Sequence, residues 1–231
     1  MFNLSLGILF MLVHFTLFLA AYRLFGKSGV YGWVAMASVV ANIQVIKTID
    51  MFSIVLTLGN TMYGTIYLAS DLLNEKYGEN AAKKAVWIGL FSLAASTIIM
   101  QLALLFERQP EDIGHEALSV IFGFMPQIAI ASFCAYFVSQ FLDVRLYTLL
   151  KRIFPSPGQL WIRNNGSTAI SQFVDTLIFC TIAFYSEYGF GIWLSIFLST
   201  YIIKFIVSVC STPFLYAARS FPVRREDEPA A

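Results

Sequence analysis

The sequence predicts an all-α fold, a polytopic helical membrane bundle with seven transmembrane helices, and three observations predict it. Of 231 residues, 58% are hydrophobic and 13% charged, and the mean hydropathy is +0.71. Soluble domains run at about 45–50% apolar and about 25% charged. The charges are also spaced so that apolar runs of roughly 20 residues, the length needed to cross a hydrocarbon core of ~30 Å, lie between them. Finally, the basic residues collect on alternate connections. The runs are continuous rather than alternating, which selects helices over barrel strands.

Five runs carry no charge: 1–22, 28–46, 51–70, 85–106 and 117–142. Two more, 164–186 and 188–218, each carry one near the middle, Asp175 and Lys204. The first run lacks the basic leader of a secretory signal and reads as a retained anchor. Seven spans consume most of the chain and leave connections too short for a soluble catalytic domain. Residues 1–220 are therefore expected to form one transmembrane domain. The Pro-containing, mixed-charge segment 221–231 is expected to be a disordered cytoplasmic tail.

Twelve of the fifteen Lys and Arg residues fall on one set of connections, from Arg23 and Lys27 through Lys151 and Arg152 to Arg225. Only Lys47 and Arg108 fall on the other. The positive-inside rule then places the amino terminus outside and the carboxyl terminus in the cytoplasm. A net charge of +1 without a basic surface argues against nucleic acid as a partner. Cys134, Cys180 and Cys210 lie in apolar runs without metal spacing and read as buried small hydrophobes. His14 has no ligand partner at helical spacing. No phosphate-binding, zinc-protease or activated-serine motif occurs, so neither catalytic residue, metal nor cofactor is expected.

The chemistry concentrates on Asp175 and Lys204. Both fall near mid-span on consecutive helices, so antiparallel packing brings them to similar depth. An ionised group at the bilayer centre costs about 2.5–3.5 kcal/mol even on permissive scales and marks a functional site by default. Thr168, Ser171 and Gln172 share the Asp175 face, and Thr200, Tyr201, Ser208 and Ser211 share that of Lys204. The third run repeats the pattern with Asn60, Tyr63, Tyr67, Ser70 and Asn74, with Asp71 beside them. Asn42, Gln101, Gln127 and Gln140 add hydrogen-bonding groups elsewhere. That density of neutral donors and acceptors suits a flat polar heterocycle better than a bare ion. The same groups also bridge helices in ordinary bundles. Pro126 and Pro213 are expected to kink the fifth and seventh spans. A lysine in the seventh helix also permits a different class, a retinal-binding photoreceptor or pump using Lys204.

Three ordered motifs carry a resemblance. Tyr63-Gly64-Thr65-Ile66-Tyr67-Leu68-Ala69-Ser70-Asp71-Leu72-Leu73-Asn74-Glu75-Lys76-Tyr77-Gly78 extends from the third run into the connection after it, and Gln140-Phe141-Leu142-Asp143-Val144 follows at the end of the fifth. The last, Arg163-Asn164-Asn165, continues through Ser171-Gln172-Phe173-Val174-Asp175-Thr176. Together they resemble the queuosine precursor transporter family of bacterial vitamin-uptake-type membrane proteins, over roughly residues 42–213. The resemblance implies a fold similar to the substrate-binding components of energy-coupling-factor transporters, a six-helix core with one extra amino-terminal helix here. It also implies import of 7-cyano-7-deazaguanine or a related deazapurine through the inner membrane. Asp175 would accept the two adjacent donors of a guanine-like edge, and Lys204 would orient that carboxylate or donate to the carbonyl. Gln172 and Asn60 would complete the polar contacts, and Tyr67 or Tyr201 would stack on the ring. Asp71, also a candidate for the substrate site, would with Glu75 otherwise gate the cytoplasmic end or stand as a solvated helix-end charge. Proton coupling through Asp175, equilibrative uptake with trapping and a separate energising ATPase partner all fit.

Overall fold

The computed structural model describes residues 2–51, 54–122, 126–185, 189–224 and 227. Gly123, the connection around Glu187 and most of the tail lie outside them, as does the Gln127 side chain. The chain forms α1 (Phe2–Gln44), a two-stranded antiparallel hairpin of β1 (Thr48–Met51) and β2 (Ile54–Thr57), α2 (Gly59–Tyr77) and α3 (Glu79–Leu104). These are followed by α4 (Gly114–Phe122), α5 (Pro126–Ile153), a 3₁₀ turn at Pro157–Gln159, α6 (Leu160–Phe184) and α7 (Phe190–Ser220).

α1 is a folded-back pair. Its backbone leaves the helical region at Gly26, where φ is 57°, a left-handed conformation that glycine adopts without strain. The Phe18 and Trp33 rings then meet edge to face at 6.0 Å, whereas fifteen residues of straight helix would separate them by about 22 Å. A Cβ on Gly29 would stand 2.2 Å from the Ala21 carbonyl oxygen, so the two halves pack backbone to backbone. The halves correspond to the first two expected spans, with Arg23 and Lys27 at the break.

Two expected boundaries move. The third span, 51–70, is part hairpin and part helix. β1 and β2 pair Thr48 with Thr57 and Met51 with Ile54, consistent with β-branched Ile54, Val55 and Thr57 favouring extended backbone. α2 starts later and continues to Tyr77. In the fifth span, 117–142, the described residues belong to α4 and α5, with 123–125 outside the description. Pro126 is the first described residue of α5, so the kink expected there lies at the edge of the described residues. Pro213 does lie inside α7.

α2 is the central helix, with fifteen of its nineteen residues buried, and it packs against α1, α3, α5, α6 and α7. The bundle is inverted relative to a soluble protein. α6 buries Ser167, Ser171, Gln172 and Asp175 while Ile170, Phe173 and Leu177 face outward. Among the described residues, four helices are long and apolar enough to cross a membrane.

At the end rich in basic residues, Lys83 pairs with Glu79 of the α3 amino terminus at 2.6 Å. Of the tail, the described residues lie against the Gly26 break. The Lys27 N–H donates to Asp227 at 2.8 Å, Arg224 donates to the Arg23 carbonyl oxygen at 3.0 Å, and Lys76 donates to the Phe221 carbonyl oxygen.

Candidate functional site

Helical spacing stacks polar side chains in three layers along the seam between α2, α5, α6 and α7. On α2 they are Tyr67, Asp71 and Glu75, and on α5 Ser139, Asp143 and Tyr147. On α6 they are Asp175, Ser171 and Arg163. The α2 and α5 sets are four apart, and on α6 Asp175 and Ser171 are four apart with Arg163 a further eight residues along, so each set follows one helix face.

The first layer holds the ion pair. Lys204 Nζ donates to Asp175 Oδ2 at 2.6 Å, and both side chains are buried. The other carboxylate oxygen, Oδ1, accepts from Ser139 Oγ at 2.9 Å, and Ser139 in turn accepts from the Tyr67 hydroxyl at 3.1 Å. The Lys204 ammonium stands 5.5 Å over the Tyr63 ring, a cation–π contact in a desolvated setting. Asn42 donates to the Tyr63 hydroxyl at 3.4 Å. Three helices beyond α6 therefore converge on one carboxylate.

The second layer is acidic. The Asp71 and Asp143 carboxyls lie within hydrogen-bonding reach of each other. Ser171 Oγ donates to Asp143 Oδ1 at 2.8 Å, and Ser70 reaches Oδ2 at 3.5 Å. Asp71 is 1% exposed, and neither of its oxygens accepts a hydrogen bond from a described donor.

In the third layer Glu75 gathers cations from three helices. Its Oε1 accepts from Arg163 Nη2 at 2.9 Å and from Arg219 Nε at 3.0 Å. Its Oε2 accepts from the Tyr147 hydroxyl at 3.1 Å and lies 3.7 Å from Lys151 Nζ. Arg163 is wholly buried and also donates to the carbonyl oxygens of Phe154 and Ser156. A cleft of about 510 Å³ opens beside this layer, lined by Glu75, Lys76, Tyr216, Arg219 and Ser220. It is at the opposite end of the column from the Asp175–Lys204 pair.

The residues singled out in the sequence distribute unevenly. Asp175, Lys204 and Tyr67 come together. Gln172 is buried with its Oε1 lacking a described partner, and Asn60 is buried two turns before Tyr67 on the same face. Asp71 meets Asp143 rather than the ion pair. Tyr201 turns to an aromatic ladder, stacked on Phe197 and Phe205 with Phe173 edge-on at 5.5 Å, and its hydroxyl donates to the Ala169 carbonyl oxygen. Ser139, Asp143 and Arg163 are functional-looking partners that mid-span charge counting passes over. Their signal was the four-residue register repeated on α2, α5 and α6. Among the described residues no group of His, Cys, Asp and Glu could hold a metal ion, and the cysteines are free thiols.

A bundle with an apolar outside and a buried seam of ionisable groups is a polytopic membrane transporter in architecture, since charge at such depth marks a path for solute or ion. The comparisons give the family. Residues 57–218 match the family described as "Putative vitamin uptake transporter", and the chain belongs to the vitamin uptake transporter family. It is 51% identical, over 95% of its own length and 96% of the relative's, to a Bacillus subtilis (strain 168) protein named "Probable queuosine precursor transporter". A Haemophilus influenzae (strain ATCC 51907 / DSM 11121 / KW20 / Rd) protein of the same name is 33% identical over 59% of this chain and 55% of that one. The Escherichia coli (strain K12) "Queuosine precursor transporter" is 29% identical over 66% of this chain and 67% of that one. No solved structure matches the chain significantly. The protein is a multi-pass membrane transporter for a small molecule, not an enzyme, and the retinal reading of Lys204 has no support in these relatives.

Proposed function

We propose that this chain imports a queuosine precursor, 7-cyano-7-deazaguanine or a related deazapurine, across the bacterial cytoplasmic membrane. The observation that carries this reading is the buried Asp175–Lys204 pair, a ready acceptor and donor at the depth where transporters hold substrate. The names of the relatives supply the substrate class. A guanine-like edge offers a ring N–H and an exocyclic amine side by side, which a carboxylate accepts together, and a carbonyl that an ammonium can serve. Substrate would displace Lys204 from Asp175 Oδ2 and share Oδ1 with Ser139, and Lys204 would swing to the carbonyl. Gln172, Asn60 and Tyr67 supply further polar contacts. Tyr63, already beneath the ammonium, is a nearer stacking surface than Tyr201 in its ladder.

In this reading seven segments cross the bilayer: the two halves of α1, then α2, α3, α5, α6 and α7. α4, at nine residues, is too short to span. The amino terminus is outside, and the basic end, with the tail 221–231, is cytoplasmic. The Glu75 layer then closes the cytoplasmic side, and its cations must part for release.

The test is restoration of queuosine in tRNA in cells unable to make the precursor, at limiting external supply. Wild type restores it, whereas Asp175→Asn and Lys204→Met leave tRNA unmodified at normal membrane levels. A properly inserted wild type that restores nothing refutes the substrate.

A further inference from the structure

We infer that Asp71 and Asp143 form a second site, one helical turn from the Asp175–Lys204 pair, which binds a proton that crosses the membrane with the substrate. This rests on the import reading and adds its source of energy.

Two carboxyls in contact within a low-dielectric seam cannot both be ionised, because the repulsion is unscreened there. A single proton between them turns that repulsion into a charge-assisted O–H···O hydrogen bond. Such a proton belongs on Asp71, whose oxygens lack a donor. They are buried, face Asp143 and receive nothing from any described group. Asp143, by contrast, accepts from Ser171 and Ser70, contacts that favour its ionised form, so the shared proton is carried by Asp71 and donated to Asp143. Among the described residues no group of three or more His, Cys, Asp and Glu is gathered here to hold a metal ion.

The charges around the pair are arranged for exchange. On α2, Glu75 lies one turn below, and on α6 Arg163 pairs with Glu75. α5 presents Tyr147 and Lys151 below. α6 and α7 present the Asp175–Lys204 pair above, and α7 presents Arg219 below. From α1, Arg23 and Lys27 stand over Phe221 and Tyr77, while His14 is bonded to the Phe10 carbonyl oxygen. α3 presents the Glu79–Lys83 pair at the basic end. Among the described residues the acidic layer thus has an anion–cation pair on each side and no cation of its own.

Coupling follows from shared helices. α2 supplies Tyr67 and Asp71, α5 supplies Ser139 and Asp143, and α6 supplies Asp175 and Ser171, each set one turn apart. A shift of α5 or α6 that opens Asp175 to substrate also alters the Asp71–Asp143 contact, so the two sites bias one equilibrium. The proton arrives from the outer side on a carboxylate oxygen of the pair and leaves to cytoplasmic water once the Glu75 layer opens. No bond other than O–H is made or broken.

The experiment uses the full chain in proteoliposomes with labelled 7-cyano-7-deazaguanine and the membrane potential clamped at zero. An imposed gradient of about one pH unit, acid outside, should accumulate substrate about tenfold for one proton per substrate, since a factor of ten in concentration balances a factor of ten in proton activity. A protonophore should abolish the accumulation, and Asp143→Asn and Asp71→Asn should reduce it to the equilibrium ratio. Counterflow, the exchange of labelled for unlabelled substrate without any gradient, is measured in parallel on wild type. If counterflow occurs but accumulation ignores the pH gradient, or follows sodium instead, the proton site is overturned and the import reading stands. If wild type shows no counterflow, the import reading fails and takes this one with it.

Discussion

Asp175 divides its two oxygens between α7 and α5, one taken by Lys204 and the other by Ser139. Ser139 thereby orients the carboxylate rather than neutralising it. Ser139→Ala should weaken precursor binding severalfold, with the loss of one charge-assisted hydrogen bond worth about 1.5–3 kcal/mol as the upper bound. Titration of binding to purified protein checks this, and an unchanged affinity would show that Ser139 serves only packing. Glu75 poses a different problem, because Arg163 beside it is wholly buried. Glu75→Gln strands that guanidinium and should cost about 3–5 kcal/mol, whereas replacing both residues with apolar ones of similar volume should recover much of it. Thermal unfolding in detergent of the single and double variants reads the difference. Mid-span charge made Asp175 and Lys204 visible in the sequence. Ser139 was not, since one serine among many on apolar helices carries no mark until a partner helix is beside it.

Among the elements, α1 most clearly depends on backbone contact. Its two halves approach at Ala21 and Gly29, where any Cβ would collide with a carbonyl oxygen rather than with a side chain that could yield. Gly29→Val is accordingly expected to destabilise the fold by at least the ~1–3 kcal/mol typical of overpacking. It should lower the amount of folded protein recovered from membranes, while the same change at Gly158, which has open space, should not. The break itself was readable from Arg23 and Lys27, charges that end one apolar run before the next begins. The hairpin of β1 and β2 was not. An apolar run locates hydrophobic chain but does not distinguish buried strand or irregular segment from helix.

At the level of the molecule, the basic residues gather at the end of the bundle where Glu75 joins α2, α5, α6 and α7. A fluorescent-protein fusion at the carboxyl terminus should therefore fluoresce in the cytoplasm, and an alkaline phosphatase fusion there should stay inactive. Active phosphatase would invert the proposed orientation and make the Glu75 layer an outer gate. Composition, run length and charge asymmetry were enough to establish a multi-span helical protein with two consequential charges, because lipid imposes those constraints on each segment separately. The three-layer column, the meeting of Asp71 with Asp143 and the diversion of Tyr201 into an aromatic ladder emerged only from packing. Each depends on which face of one helix meets which face of another, and spacing along a single chain leaves that rotation undetermined.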